Sequence, residues 1–152
     1  MLIRTTPRHP DYQALIPLLD AYLAITDGDE HDFYDQFNKS DEIKYVVLAY
    51  EGGVAAACGA IKQFDDKTME VKRMFTKENF RGQGIAVSVL AELEKWTKEL
   101  GCSRCILETG TRQQPAIRLY EKCGYRIISN YGQYAGVANS VCMEKVLSKT
   151  SK

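Results

Sequence analysis

No apolar run in the 152 residues approaches the roughly 20 needed to cross a bilayer, so a membrane-spanning helix is not expected. The opening Met1-Leu-Ile-Arg-Thr-Thr carries a charge at position 4 and no long apolar segment behind it, which does not read as a secretory signal. Net charge is missing as well: 20 basic residues balance 20 acidic ones, against the strongly basic balance of a dedicated nucleic-acid binder. There is no Gly-Lys-Ser/Thr, hence no Walker loop. Five cysteines is an odd number, and without a signal they read as reduced thiols of a cytoplasmic protein. Cys102-Ser-Arg-Cys105 is a lone C-x-x-C. In redox proteins that motif opens a helix, whose dipole stabilises the thiolate; here it follows Gly101 at a helix carboxyl end, and no second ligand pair completes a zinc site. Core cysteines are expected, and no metal.

The length is about one domain's worth, and 45% hydrophobic with 26% charged residues is the balance of a soluble globular domain. Charge is unevenly spread. Between His9 and Asn38 there is no Lys or Arg, yet Asp11, Asp20, Asp27, Asp29, Glu30, Asp32 and Asp35 all fall there. That stretch suits a cationic or amine partner, or is simply a solvated helical connection. His31 titrates in a useful range within it, or is a surface histidine; His9 is assigned no role.

The periodicities predict β-α-α-β-β-β-α-β-α-β-β. A strand at Leu2–Thr6 precedes a helix over Asp11–Thr26, interrupted at Pro17, and a short helix through Asn38. Tyr45–Tyr50, the small-residue run Val54–Phe64 and Met69–Thr76 form an antiparallel meander. A long helix over Gly84–Leu100 carries Ile85, Val89, Leu93, Trp96 and Leu100 on one stripe and a Glu94–Lys98 pair, with Gly101 as its stop. The strand Arg104–Glu108, a helix over Pro115–Cys123 and strands at Tyr125–Ser129 and Ser140–Leu147 complete the chain. Strand–helix–strand from Met69 to Glu108 implies a parallel pair.

The chemistry-bearing segment is Arg81-Gly82-Gln83-Gly84-Ile85-Ala86, between the third strand of the meander and the long helix. Unpaired N–H groups and the dipole at a helix amino end favour an anion such as phosphate, and the glycines let it approach the backbone. Arg81-x-x-Gly84-x-Ala86 resembles the R/Q-x-x-G-x-G/A acetyl-CoA motif of the GCN5-related N-acetyltransferase (GNAT) family. Downstream, Ala116-Ile-Arg-Leu-Tyr-Glu-Lys-Cys-Gly-Tyr125 is similar to that family's A-I-x-L-Y-x-K-x-G-F/Y segment. The likeness is strong from Met69 to Tyr125 and weak before Lys44.

The resemblance implies an α/β (α+β) fold: a mixed, splayed sheet of six to seven strands flanked by helices, in one acetyltransferase domain over 1–152. The acetyl-CoA-binding core lies at about 68–125, with acceptor-side elements at about 10–40 and 129–139. It implies that the Gly82, Gln83, Gly84, Ile85 and Ala86 amides hold the coenzyme pyrophosphate beside Arg81. The main chain of Met74, Phe75 and Thr76 pairs with the pantetheine arm in the slot where two strands part. Tyr120 aligns with the tyrosine that protonates the departing thiolate, against a plain reading as a core tyrosine. Gln113 stands where many members have Asn contacting pantetheine, and Glu78 where many have Pro.

The activity implied is direct, acetyl-CoA-dependent N-acetylation of an amine, without an acyl-enzyme. A small-molecule acceptor is expected, with no nucleic-acid or membrane partner; a protein or peptide amine and a non-catalytic CoA-binding regulatory module are the alternatives. The base is left between Glu70 and Glu108, each also readable as an ion-pair partner of Lys72, Arg73 or Arg104. In regular alternation Glu70, Lys72 and Met74 share one strand face. A backbone N–H at or beside Phe75, presented by a bulge, is the oxyanion donor. Tyr131 and Tyr134 line the acceptor pocket or sit on a loose surface loop. The family suggests a homodimer; the residues leave the oligomeric state open.

Overall fold

The apolar run Val46–Ala49 and the small-residue run Ala55–Ala60 pair as neighbouring strands in the computed structural model, which describes residues 1–27 and 43–147. The elements are β1 (Leu2–Thr5), α1 (Pro10–Asp27), β2 (Tyr45–Glu51), β3 (Val54–Asp65), β4 (Thr68–Thr76), α2 (Ile85–Glu99), β5 (Arg104–Gly110), α3 (Gln114–Lys122), β6 (Arg126–Ile128) and β7 (Ser140–Val146). Seven strands form one sheet in the order β1-β2-β3-β4-β5-β7-β6, antiparallel except for the β4–β5 pair. The expected mixed sheet is therefore present. The short helix expected through Asn38 and His31 lie outside the described residues.

Helices cover both faces. Val89, Leu90 and Leu93 of α2 and Tyr120 of α3 pack on one face, with Val47, Met69 and Leu107 beneath them. On the other, Tyr12 and Leu15 of α1 pack on Val46, Leu48 and Cys58. Each such apolar side chain contributes roughly 1.5–3 kcal/mol by leaving water. The small residues of β3 follow from this: a Cβ on Gly59 would lie 2.5 Å from Met74 Sδ and 2.9 Å from Leu93 and Val89.

Several local expectations are corrected. Pro17 does not divide α1. It is exposed, and Leu15 and Leu19 on either side are anchored in the core, so one missing backbone bond is tolerated. His9 has a structural role after all, because its Nδ1 accepts from the Asp11 N–H at 3.0 Å and caps the helix start. Glu94 receives Tyr125 Oη at 2.9 Å and Lys145 Nζ at 3.0 Å, so a tertiary clamp occupies it in place of the expected Lys98 pair. Leu100, expected on the buried stripe, is the exposed C-cap, and the stripe gains Leu90 and Thr97. Cys102 and Cys105 are buried core cysteines.

Candidate active site

The site is made by strands that stop pairing. β4 and β5 are matched only at Thr68–Arg104, Met69–Cys105 and Glu70–Ile106, after which they diverge. Within this fork lies a cavity of about 90 Å³, lined by Glu70, Lys72 and Arg73 from one arm and Glu108 and Thr109 from the other. Leu19 and Leu23 of α1 and Tyr134 of the 129–139 segment also line it.

A bulge shapes the β4 arm. Cys58 pairs with Phe75 and Ala60 with Lys72, so Gly59 alone stands opposite both Arg73 and Met74. Arg73 takes φ +59°, a left-handed conformation that costs a non-glycine residue of order 1–3 kcal/mol. It is held there by Asp20 of α1, whose Oδ1 accepts from Nη2 at 2.7 Å, and by Cys58 Sγ on its carbonyl at 3.4 Å. The bulge overturns the regular alternation. Met74 packs with Met69 and Val71 towards the α2 face while still bordering the cavity, and Glu70 and Lys72 stay on the fork. A sequence signal existed: regular alternation puts a charged Arg73 on the same face as Met69 and Val71, which only an irregularity resolves.

A second cavity of about 570 Å³ opens beside the fork. Its rim is the glycine loop with Arg81, Gly82, Gly84 and Ala86; its walls are Phe75 and Thr76 of β4 and Ala116 and Leu119 of α3. Gly82 and Gly84 both adopt φ +78°, where glycine avoids the Cβ penalty, and a Cβ on either would meet nothing within 4 Å. Gly84 is the N-cap of α2, with no side-chain cap and no acidic residue in the first turn. The first amides of a 15-residue helix thus lack a competing side-chain acceptor, which suits an anion. Gln83 is exposed and Ile85 is buried in the core, so both could serve the groove only through their main chain. Arg81 folds back on β4: its Nε donates to Thr76 O at 2.9 Å and its guanidinium lies 5.1 Å from the Tyr22 ring centre and 5.7 Å from that of Phe75.

Met74, Gln113 and Tyr120 line both cavities, so the junction between them falls at these three residues. Tyr120 is buried against Tyr125, ring centres 5.8 Å apart. Burial, assisted by Cys123 and Glu108, pushes its hydroxyl well above the ordinary tyrosine range, so it stays protonated at neutral pH.

On the fork side Tyr131 Oη donates to Glu70 Oε2 at 2.8 Å, and its ring contacts Phe64 and Tyr134 edge-on. Burial first, then the Glu70 charge, raises the Tyr131 hydroxyl. Burial lowers the Lys72 ammonium, opposed by Glu70 and Glu108. The 129–139 segment is therefore docked rather than loose, with Tyr134 in the cavity wall and Tyr131 on Glu70. Reading by motif missed Arg73, Leu19, Leu23 and Tyr22, which come from a strand irregularity and a helix far away in the chain. Two acids of the acidic stretch have partners in the fold: Asp20 holds Arg73 and Asp11 accepts from Tyr50.

Among the described residues no cluster of three His, Cys, Asp or Glu could hold a metal, and no helix is long and apolar enough to cross a membrane.

Residues 12–125 match the model of the acetyltransferase (GNAT) family. The uncharacterised N-acetyltransferase YsnE of Bacillus subtilis is 36% identical over 101 residues, 65% of this chain and 67% of that protein. An uncharacterised N-acetyltransferase of Schizosaccharomyces pombe is 30% identical over 105 residues, 68% of this chain and 64% of its own. The chain spans about two thirds of the length of these curated relatives. A solved Klebsiella pneumoniae protein, provisionally named an acyl-CoA N-acyltransferase, superposes with TM-score 0.82 at 29% identity, covering 97% of each chain. An Elizabethkingia anophelis GNAT acetyltransferase with acetyl-CoA bound shares the fold at TM-score 0.71 and 19% identity, again covering 97% of each.

Proposed function

Since the chain belongs to the GNAT family of acetyltransferases, and so to the acyltransferases, we propose that it moves an acetyl group from acetyl-CoA directly to the amine of a small molecule. The observation that carries this reading is the junction: Tyr120 borders an apolar groove rimmed by the glycine loop and, on its other side, a small cavity holding two carboxylates. Acetyl-CoA supplies the acetyl group, whose C–S bond breaks as the C–N bond forms, leaving free CoA thiol.

This chain's residues do the rest. Uncapped amides at the start of α2 take the pyrophosphate, with Arg81 swinging off Tyr22 to reach it, and Gln113 and the main chain of Met74, Phe75 and Thr76 hold the pantetheine arm. The bulge at Arg73–Met74 supports a main-chain N–H near Phe75 as the donor to the developing oxyanion. Glu70 or Glu108 takes the amine proton, and the buried, protonated Tyr120 gives one to the thiolate, so protons balance. A cavity of about 90 Å³ in the fork suits a compact acceptor better than a folded chain. We read the chain as one cytoplasmic acetyltransferase domain over 1–152, with a homodimer as the proposed assembly.

The test is CoA release from acetyl-CoA, followed with a thiol reagent, across amino acids, polyamines, aminoglycosides and basic peptides with a no-acceptor control. Release stimulated by a small amine is expected. Stimulation by peptides alone would transfer the activity to protein amines, and silence across the panel with CoA binding intact would leave a CoA-binding module.

A further inference from the structure

The transfer just described leaves one buried charge of the fork without a task. Arg73 lines the cavity, and its side chain is only 4% exposed. One terminal nitrogen, Nη2, is held by Asp20. The other, Nη1, is buried and has no hydrogen-bond partner among the described residues. Tyr12 lies beside the guanidinium, yet no hydrogen bond of ordinary geometry joins it to Nη1. A buried ionic donor left unpaired is costly, and a guanidinium presents its N–H groups in a planar fork that matches the two oxygens of a carboxylate. Asp20 fills that role on one side only, from a side chain that is itself 34% exposed.

The other charges of the cavity define what could bring such a carboxylate. Glu70 and Glu108 face Lys72 and Arg73 within one small space, so both signs are present. A plain cation would meet Lys72 and Arg73 as repulsive neighbours, and a plain anion would meet the two carboxylates. A zwitterion answers both.

Resting on the acetyltransferase reading, we propose that the acceptor is a small amino carboxylate: its amine lies against Glu70 and Glu108 near the Tyr120 junction, and the Arg73 guanidinium turns its unpaired Nη1 out of its buried position to bind the carboxylate. Arg73 is then a specificity-determining residue. The product is an N-acyl amino carboxylate, with one proton released for each C–N bond formed.

The experiment compares matched acceptors on the intact wild-type protein: glycine, aspartate, methionine and phenylalanine, each beside its amide and its decarboxylated amine. The free acid should exceed its amide in kcat/KM by about ten- to hundredfold in at least one series, the range expected of a charge-assisted hydrogen bond. Arg73→Gln should pull that acid-to-amide ratio towards one, and Arg73→Lys should keep part of it. A ratio cancels any general loss from disturbing the bulge. Should both Arg73 variants fail to fold, Asp20→Asn removes the competing charge while its amide oxygen still accepts from Nη2, and should lower KM for the acid while leaving KM for the amide; an unchanged or raised KM for the acid counts against the proposal. Amides or decarboxylated amines turned over as well as the acids, or better, would overturn it while leaving the acetyltransferase reading intact. No transfer to any of the twelve, with none to the wider amine panel, would remove that reading itself.

Discussion

The two cavities that meet at Tyr120 are built from different materials. The groove is main chain and small or apolar side chains: two glycines at φ +78°, an uncapped helix start, Ala116 and Leu119. The fork is lined by charged side chains, Glu70 and Arg73 buried and Lys72 and Glu108 half-buried, distorted by a bulge and pinned from α1. Main-chain recognition depends on glycine at fixed places in one continuous loop. Side-chain recognition draws on strands and helices distant in sequence. The first leaves a local motif and the second does not.

The largest effect should come at the junction. Tyr120→Phe should lower kcat by 10²–10⁴-fold, the usual weight of a general acid, with CoA affinity by calorimetry changed little. A loss of affinity with kcat preserved would make Tyr120 part of the groove alone.

Next in size is the groove itself. Gly84→Val places a β-branched residue at φ +78°, worth about 1–2 kcal/mol in strain alone, and adds bulk at the anion-facing amides. Acetyl-CoA should bind about tenfold or more weakly, while acid-to-amide discrimination among acceptors should persist. If that discrimination also vanished, the two cavities would not be separable.

Gly59→Ala probes the fork from behind. Its Cβ would fall 2.5 Å from Met74 Sδ, and such overpacking typically costs about 1–3 kcal/mol. Thermal melting should drop by several degrees, roughly 2–4 °C per kcal/mol at this size, and kcat should fall while CoA affinity holds. Unchanged melting would show that Met74 moves aside freely.

The smallest effect is alkaline. Burial pushes the thiols of Cys105 and Cys142 up to about 11 and Cys58 up to about 12 from an ordinary 9.0. The unfolded chain gives up these protons first, so stability held below pH 9 is lost as pH climbs towards 11–12. Each thiol contributes at most about 1.4 kcal/mol per pH unit. Urea midpoints at pH 8 and 10 should differ, and Cys58→Ala on the α1 face and Cys105→Ala on the α2 face should each narrow the gap. Equal gaps in both variants and wild type would contradict the burial of these thiols.

Much of the fold was legible because its signals are local. Apolar periodicity marked α2, the strand runs from Tyr45 to Thr76 marked the β2–β3–β4 meander, and Gly101 marked a helix stop. The parallel step from β4 to β5 followed from the helix between them. Other features were hidden because they depend on partners far away. The insertion of β7 between β5 and β6, the turning of Glu94 towards Lys145 and the uninterrupted passage of α1 through Pro17 are of this kind. So is the docking of Tyr131 on Glu70, which lies 61 positions earlier.

By itself the sequence determined the groove, since φ angles that favour glycine and a helix amino end are written in consecutive residues from Arg81 to Ala86. The fork was decided by the tertiary structure alone. A charged Arg73 can sit in a strand core only where a bulge turns it towards Asp20, and that pairing exists only once α1 has packed across β4.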